Sequence, residues 1–245
     1  DQTRTGGKDS GMKALIFAAG LGERMRPLTD HTPKPLLVAG GKPLIAWHLE
    51  RMAAAGVREV VINTSWLADQ FPQVLGDGSR WGVKITYSYE GTTPLETGGG
   101  MLHALPLLGD APFLLVNGDI WTDFDFARLP HAPSGLAHLV MVDPPEQAPR
   151  GDFALGADGL VREGDGPKLT YAGIGIYRPE LLANWRVHTK SSESTDVNTS
   201  HRFPLAPILR AHMAEGSIHG EHHQGRWTDV GTPQRLAELD QRLRS

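Results

Sequence analysis

A glycine-containing turn with several cationic side chains lies near the start of the chain. Gly20 and Gly22 are followed by Arg24 and Arg26, and Lys34 stands between two prolines. Glycines let the backbone pass close to a phosphate, with main-chain N–H groups pointing at it. Arginine binds phosphate oxygens in a bidentate manner, whereas lysine acts as a point charge. This segment therefore predicts a local phosphate site.

Two other phosphate motifs do not fit the same stretch. The run at 20–22 lacks the third glycine of a dinucleotide fingerprint, because Met25 occupies its place. Lys42 is followed by Pro43, where a P-loop requires Ser or Thr. The predicted anion site is therefore of another kind.

A carboxylate follows an apolar run in the middle of the chain. Pro112–Val116 predicts a buried strand, and Asn117-Gly118-Asp119 comes directly after it. Ligands of parallel α/β sheets bind beyond the carboxyl ends of the strands. Mg²⁺ prefers oxygen ligands and needs only one or two protein carboxylates beside phosphates. Asp119 is thus a candidate Mg²⁺ ligand, with turn capping as the alternative.

Three consecutive glycines, at 98–100, begin a predicted helix. At a helix start they would leave free N–H groups for an anion or a base edge. The alternative is that this segment only caps the helix.

Two further clusters suggest metals less strongly. Asp123 and Asp125 form a D-x-D pair like that of many glycosyltransferases, although the neighbouring Phe126 predicts local packing. The HGEHH run contains His222 and His223, which would point to opposite sides of a strand, so we expect no zinc site there.

Composition narrows the function classes. The chain has 245 residues, a net charge of −4 and no cysteine. The charge gives no broad basic surface for nucleic acid. The lack of cysteine excludes disulfides, thiolate zinc sites and cysteine nucleophiles, and it fits a cytoplasmic protein. No apolar run is long enough to predict a membrane span.

The apolar pattern of the first half predicts alternating strands and helices. Lys13–Ala19 is a nearly continuous apolar run, as expected of a strand buried on both faces of a parallel sheet. Pro43 begins a helical repeat that ends at Gly56, and Val57–Thr64 predicts the next strand. We predict an α/β fold, with a Rossmann-like, mostly parallel sheet and helices on both faces.

The second half predicts shorter elements. Short strands at 153–155, 160–163 and 170–177 suggest a small antiparallel portion. Residues 187–202 are almost wholly polar and predict a mobile loop. Residues 1–11 are expected to be a disordered cloning remnant before a natural start at Met12.

The run AAGLGERMRPLTDHTPKPLL, at residues 18–37, resembles the signature of the sugar-phosphate nucleotidylyltransferase family. That family carries G-x-G, a small hydroxyl residue, Arg, and later a Pro-Lys pair. The Asn-Gly-Asp run at 117–119 and the W-x-D-x-G-T run at 227–232 follow in the family's order, so the resemblance extends over nearly the whole chain from Met12. Glu23 departs from the pattern, because the family usually has Thr or Ser there. A carboxylate beside a triphosphate is unfavourable unless a cation offsets it.

The resemblance implies a single nucleotidyltransferase domain of GT-A-like fold at 12–245. Its nucleotide part would span 12–120, its sugar part 121–232 and a C-terminal helix 233–245. The implied nucleotide contacts are Ala18, Gly20, Leu21, Gly22, Glu23, Arg24, Lys34, Leu95, Thr97, Gly98 and Gly118. The implied sugar contacts are Asn117, Gly151, Asp152, Glu163 and Gly173.

The resemblance also implies the catalytic group. Asp229 would complete a Mg²⁺ site with Asp119, and Arg24 and Lys34 would neutralise charge on the phosphates.

The implied reaction joins a sugar 1-phosphate to a nucleoside triphosphate and releases pyrophosphate. Both partners are small molecules, without nucleic acid or membrane, and the oligomeric state is left open. The motif combination implies UTP and N-acetylmuramate 1-phosphate, giving a cell-wall precursor, with GTP and mannose 1-phosphate as the near alternative. A nucleotide-sugar-dependent glycosyltransferase and a non-catalytic nucleotide-binding protein are the alternatives of other classes.

Overall fold

The computed structural model describes residues 9–189 and 201–245. Its strands are β1 Ala14–Phe17, β2 Val38–Ala39, β3 Lys42–Pro43, β4 Glu59–Thr64, β5 Lys84–Tyr89, β6 Phe113–Asn117, β7 Ile120–Thr122, β8 Ala137–Val142, β9 Ala154–Leu155, β10 Val161–Arg162, β11 Thr170–Tyr177, β12 Ile218–His222 and β13 Trp227–Asp229. Its α-helices are α1 Leu44–Ala54, α2 Gln70–Leu75, α3 Glu96–Leu108, α4 Trp185–His188, α5 Ala206–Ala214 and α6 Pro233–Arg244. Within these two ranges, no helix has both the length and the apolar character that crossing a bilayer requires.

A seven-stranded sheet forms the centre of the molecule, in the order β12-β8-β11-β6-β1-β4-β5. The β6-β1-β4-β5 half is parallel throughout. β11 runs antiparallel to both β6 and β8, and β12 pairs with β8 in parallel. Six of the seven strands therefore share one direction, which confirms the predicted mostly parallel α/β sheet.

Helices cover both faces of this sheet because successive strand residues point to opposite sides. Ala14 and Ile16 of β1 pack with the side that carries α1 and α2. Leu15, between them, packs with the side that carries α3 and α5. All three side chains are fully buried. The continuous apolar run of β1 is thus explained by two cores that share one strand.

In the second half of the chain, one predicted short strand belongs to the main sheet instead of to a small antiparallel portion. The stretch at 170–177, predicted as a short strand, forms the eight-residue β11 within the main sheet, between β6 and β8. The small antiparallel elements are the two-stranded pairs β9-β10 and β7-β13. Three glycine and alanine residues in β11 weaken its strand signal, and only the neighbouring strands reveal that it is buried.

Two segments expected to lie outside the fold are partly joined to it. Ser10 donates from its N–H and its hydroxyl to the carbonyl of Gly56, at 3.0 Å and 3.1 Å. The fold therefore begins before Met12, which corrects the prediction for residues 9–11. Of the predicted loop at 187–202, residues 190–200 lie outside the described residues. Its first residues end α4, where the Thr189 hydroxyl donates to the carbonyl of Trp185 at 2.9 Å.

Candidate active site

The glycine turn after β1 is fixed by a buried threonine. Gly22 adopts a left-handed conformation with φ 65°, which favours glycine. The Thr29 hydroxyl, 1% exposed as a residue, donates to the Gly22 carbonyl at 2.6 Å. A Cβ on Gly22 would lie 2.9 Å from the Thr29 methyl group. The contact with Thr29 therefore fixes the turn. Gly20 and Gly22 of this turn line a surface cavity.

Lys34 and Asp119 form an ion pair at one end of this cavity. Pro33 precedes the short 3₁₀ turn that carries Lys34. Asp119 follows β6, as predicted. The Lys34 Nζ lies 3.2 Å from Asp119 Oδ2, and the lysine side chain is 11% exposed while the aspartate is 45% exposed. The ammonium is thus held in place, and the carboxylate keeps solvent-facing surface for a ligand.

Asp229 ends β13 and is brought beside Asp119 by strand pairing. β7 and β13 pair antiparallel with Asp229 opposite Ile120. The next residue, Val230, donates its N–H to the Asp119 carbonyl at 2.8 Å. Asp229 Oδ1 contacts Arg235 Nε at 2.7 Å, and Oδ2 accepts from the Gln147 amide at 3.3 Å. Asp119, in the turn before β7, and Asp229, at the end of β13, are therefore brought together although they lie 110 positions apart in the chain.

These two carboxylates suit a hard divalent cation. Each is about one third to one half exposed, at 45% for Asp119 and 32% for Asp229. In 9–189 and 201–245 no group of three or more acidic, His or Cys residues could hold a metal. Mg²⁺ does not need such a group, because it keeps several waters and binds through one or two carboxylates and substrate phosphates. The donor set therefore fits Mg²⁺.

Asn63 and Glu90 form a buried hydrogen-bonded chain at the other end of the cavity. The Ala18 N–H donates to Asn63 Oδ1 at 2.6 Å, and Asn63 Nδ2 donates to Glu90 Oε1 at 3.1 Å. Glu90 Oε2 accepts from the Leu95 N–H at 3.4 Å. Asn63 is 2% exposed and Glu90 is 9% exposed. The chain links the glycine turn to the segment before α3, and the sequence did not single out either residue.

Burial changes the acidity of Glu90. Loss of solvent raises its pKa from 4.5 to about 7, while the hydrogen bonds from the Leu95 N–H and Asn63 oppose this shift. Desolvation dominates because none of the described cations forms an ion pair with this carboxylate. Glu90 therefore titrates near neutral pH inside the candidate site.

The glycines at 98–100 serve close packing instead of exposing N–H groups, so that prediction is wrong. The N–H groups of Gly98 and Gly99 both donate to the Phe203 carbonyl at 3.0 Å. A Cβ on Gly98 would collide with the Phe203 ring, and a Cβ on Gly100 would collide with the Glu90 carboxylate. The helix also begins earlier, at Glu96. The predicted nucleotide contacts of Leu95 and Gly98 stay predictions, but Gly98 lacks the free N–H that the sequence suggested.

One cavity at the carboxyl ends of β1, β4, β5 and β6 is lined by five of the eleven predicted nucleotide residues, Ala18, Gly20, Gly22, Lys34 and Thr97. Its lining is Phe17, Ala18, Ala19, Gly20, Gly22, Lys34, Pro35, Asn63, Glu90, Pro94, Glu96, Thr97, Asn117 and Asp119. Leu21, Glu23 and Arg24 are exposed on the same turn but do not line the cavity. Leu95, Gly98 and Gly118 are buried or packed behind the lining.

The predicted sugar residues divide into two groups. Asn117 lines the cavity, and a Cβ on Gly173, where φ is 76°, would lie against the Asn117 side chain. Asp152 Oδ2 accepts from the N–H of Tyr171, two residues before Gly173 in β11. Gly151 adjoins this loop and packs against the Lys168 backbone.

Glu163 does not join this group. Its Oε1 pairs with Arg210 Nε of α5 at 2.9 Å, and it does not line the cavity. The structure therefore does not bring Glu163 together with Asn117.

The D-x-D pair has structural partners. Asp123 Oδ1 accepts from the Arg226 N–H at 2.9 Å and lies 2.8 Å from His223 Nε2. Asp125 Oδ1 accepts from the Ala127 N–H at 3.0 Å and caps a short 3₁₀ turn. These contacts remove the observation that favoured a glycosyltransferase. His222, from the same run as His223, pairs with Asp143.

Comparison with known proteins gives the family. A family model described as nucleotidyl transferase matches residues 13–245. The N-acetylmuramate alpha-1-phosphate uridylyltransferase of Neisseria meningitidis serogroup B is 49% identical over 234 residues, which are 93% of this chain and 96% of that protein. The mannose-1-phosphate guanyltransferase of Aspergillus fumigatus is 32% identical, over 91% of this chain and 61% of that protein.

The fold is also similar to that of a solved structure. A Bacillus anthracis protein, provisionally named a glucose-1-phosphate thymidylyltransferase, superposes with a TM-score of 0.79 at 20% identity, covering 96% of both chains. At this identity the similarity concerns the fold alone. Together with the match of the family model to almost the entire chain, it confirms the resemblance noted in the sequence: the chain belongs to the nucleotidyl transferase family.

Proposed function

We propose that the protein joins a sugar 1-phosphate to a nucleoside triphosphate and releases pyrophosphate, with UTP and N-acetylmuramate 1-phosphate as its substrates. The observation that carries this proposal is the cavity in which the glycine turn meets the Lys34–Asp119 pair. The substrate identities rest on the 49% identity with the Neisseria meningitidis uridylyltransferase. A product of this kind would supply cell-wall synthesis.

The reaction is an in-line displacement at the α-phosphorus of the triphosphate. A phosphate oxygen of the sugar 1-phosphate forms a new P–O bond, and the bond to the β-phosphate breaks as pyrophosphate leaves. The second pKa of a phosphate monoester is about 6, so the attacking group is already ionised at neutral pH. No general base is required, and catalysis depends on positioning and charge neutralisation.

The residues at the cavity supply both the positioning and the charge neutralisation. The backbone of the turn at 20–23 binds the triphosphate, with Ala18 behind it, and the fixed Lys34 ammonium neutralises phosphate charge. Arg24 is exposed on the same turn and adds charge at its outer side. Asn117 and Gly173 form the sugar side, with Gly151 and Asp152 on the adjoining loop.

We propose Mg²⁺ as the cofactor, held by Asp119 and Asp229. When bound, it would neutralise developing negative charge on the phosphates and orient them. One carboxylate would approach it from the turn before β7 and the other from the end of β13.

The alternative substrates are GTP and mannose 1-phosphate. The relative with that activity in its name is 32% identical, and this chain spans 61% of its length. The Neisseria meningitidis relative matches in length as well as in identity, which favours UTP. Because the reaction needs nucleoside triphosphate, we place the protein in the cytoplasm, with small molecules as its partners.

Pyrophosphate release with Mg²⁺ tests the proposal. UTP, GTP, CTP, ATP and dTTP would each be combined with the 1-phosphates of N-acetylmuramate, N-acetylglucosamine, glucose and mannose. We expect release only with UTP and N-acetylmuramate 1-phosphate. Release with GTP and mannose 1-phosphate would correct the substrates and keep the reaction. No release with any pair would favour a glycosyltransferase or a nucleotide-binding protein without turnover.

A further inference from the structure

Arg235 contacts the candidate metal ligand from the C-terminal helix. It lies in the first turn of α6, where its N–H donates to the Thr232 hydroxyl that caps the helix, at 3.3 Å. Its Nε is 2.7 Å from Asp229 Oδ1, and its side chain is 20% exposed. Both carboxylates of the site therefore carry a cationic partner, since Lys34 pairs with Asp119.

A glycine makes room for this arginine. A Cβ on Gly231 would collide with Arg235 Nη2 and would lie 3.1 Å from Asp229 Oδ1. The Gly231 N–H also donates to Asp229 Oδ1 at 3.2 Å. Asp229 Oδ1 therefore already has two partners, Arg235 of α6 and the N–H of Gly231. Among the described residues, Oδ2 accepts only from the Gln147 amide, at 3.3 Å in an exposed contact.

The Arg235–Asp229 contact is an ion pair without a well-directed hydrogen bond. The distance is short, but the buried Arg235 Nε–H does not point at an acceptor with hydrogen-bond geometry. Charge attraction, rather than a bidentate fork, therefore holds the two groups together. The positive charge of the guanidinium beside Asp229 opposes any cation that approaches this carboxylate.

We infer that Arg235 is a positioning residue and internal counter-ion, which fixes Asp229 with Oδ2 toward the metal and weakens the binding of the divalent cation. This inference rests on the metal site of the proposed function. The fixed positive charge opposes a cation at Asp229, while the fixed carboxylate orientation favours catalysis. Weak metal binding would let Mg²⁺ arrive with the triphosphate and leave with pyrophosphate.

Mn²⁺ binding, measured by electron paramagnetic resonance without nucleotide, tests this role in the full chain. We expect Arg235→Gln to tighten the Mn²⁺ dissociation constant roughly tenfold, the size of one nearby charge at a partly solvated site. kcat should fall while the thermal unfolding midpoint stays near that of the native protein. Arg235→Lys should restore the weaker Mn²⁺ binding. Gly231→Ala should displace the guanidinium and tighten Mn²⁺ binding without removing a charge.

Arg244 provides the matched control, since its Nε pairs with Asp240 Oδ1 at 2.9 Å on the same helix. Arg244→Gln should leave Mn²⁺ binding unchanged. The inference is overturned if Arg235→Gln leaves Mn²⁺ binding unchanged or weakens it, or if neither the native protein nor Arg235→Gln binds Mn²⁺. A tightened constant in a protein that releases no pyrophosphate would uphold the counter-ion role and reject the proposed reaction.

Discussion

The two ends of the cavity treat their acidic residues in opposite ways. At the aspartate end, Asp119 lines the cavity and Asp229 lies next to it outside the lining. Both are partly exposed, and each pairs with a cation. At the Glu90 end, a single carboxylate is buried and is held by an amide and a backbone N–H. The first arrangement gives each carboxylate a cationic partner and leaves it accessible to a ligand. The second favours a neutral acid, because its charge has neither solvent nor a counter-ion.

The charged groups at the aspartate end are placed to act on ligands. The polar groups at the Glu90 end are placed to hold the site in shape. The aspartate end has carboxylates that pair with protein cations and keep surface for a ligand. The Glu90 end ties three segments together, since Asn63 of β4 bonds both Ala18 after β1 and Glu90 after β5. We therefore expect substitutions at the aspartate end to affect turnover and those at the Glu90 end to affect stability.

The largest expected effect is loss of turnover at the aspartate end. Asp119→Asn and Asp229→Asn should each lower kcat by about 10²–10³-fold, the size usual for removing one preorganised charge contact. Pyrophosphate release measures the loss, and thermal unfolding should show that the fold survives. Asp125→Asn, in the D-x-D pair, should keep near-normal turnover. Near-normal Mg²⁺-dependent activity in either of the first two variants would reject the metal assignment.

The second effect is a pH dependence of stability at the Glu90 end. The folded protein binds the Glu90 proton more tightly than the unfolded chain, because its pKa rises from 4.5 to about 7. Between these values the unfolded chain holds fewer protons, so the free energy of unfolding falls as pH rises. The full loss, reached above pH 7, is about 3 kcal/mol for a shift of this size.

Urea unfolding of native protein and Glu90→Gln between pH 5 and 8 measures this term. The difference in free energy of unfolding should shift in favour of the variant by about 2.5 kcal/mol across that range. Glu59→Gln is the control, since Glu59 is exposed and pairs with Lys13 at 3.8 Å. If the difference in free energy of unfolding between the native protein and Glu90→Gln stayed constant with pH, the pKa of Glu90 would not be raised by burial.

The same two ends explain what the sequence could predict. The motif at 18–37 predicted the glycine turn and Lys34, and the end of an apolar strand predicted Asp119. Asp229 was implied by the family resemblance. Such predictions are possible because contacts to phosphate and metal restrict residue types and their spacing. Asn63 and Glu90 gave one weak signal, a polar residue at the end of an apolar strand. Their importance depends on three strands ending side by side, which no local pattern contains.

Glycine functions show a similar limit. Gly22 was correctly associated with a turn, because its left-handed conformation is a local requirement. Gly98 was expected to expose a donor, but its role is set by Phe203, more than 100 residues away in sequence. The same holds for Arg235, whose helix was predicted although its contact with Asp229 was not.

The smallest expected effect distinguishes the two groups of predicted sugar residues. Asp152→Ala removes the acceptor for the Tyr171 N–H beside Gly173, so it should loosen the sugar side of the aspartate end. Loss of about one hydrogen bond corresponds to roughly a fivefold higher KM for the sugar 1-phosphate, with the KM for the triphosphate unchanged. Glu163→Ala should change neither KM, since Glu163 pairs with Arg210 at the surface. Its effect on the free energy of unfolding should stay within about 0.5 kcal/mol. A rise in the sugar KM for Glu163→Ala alone would mean that the β9-β10 hairpin moves to the sugar when substrate binds.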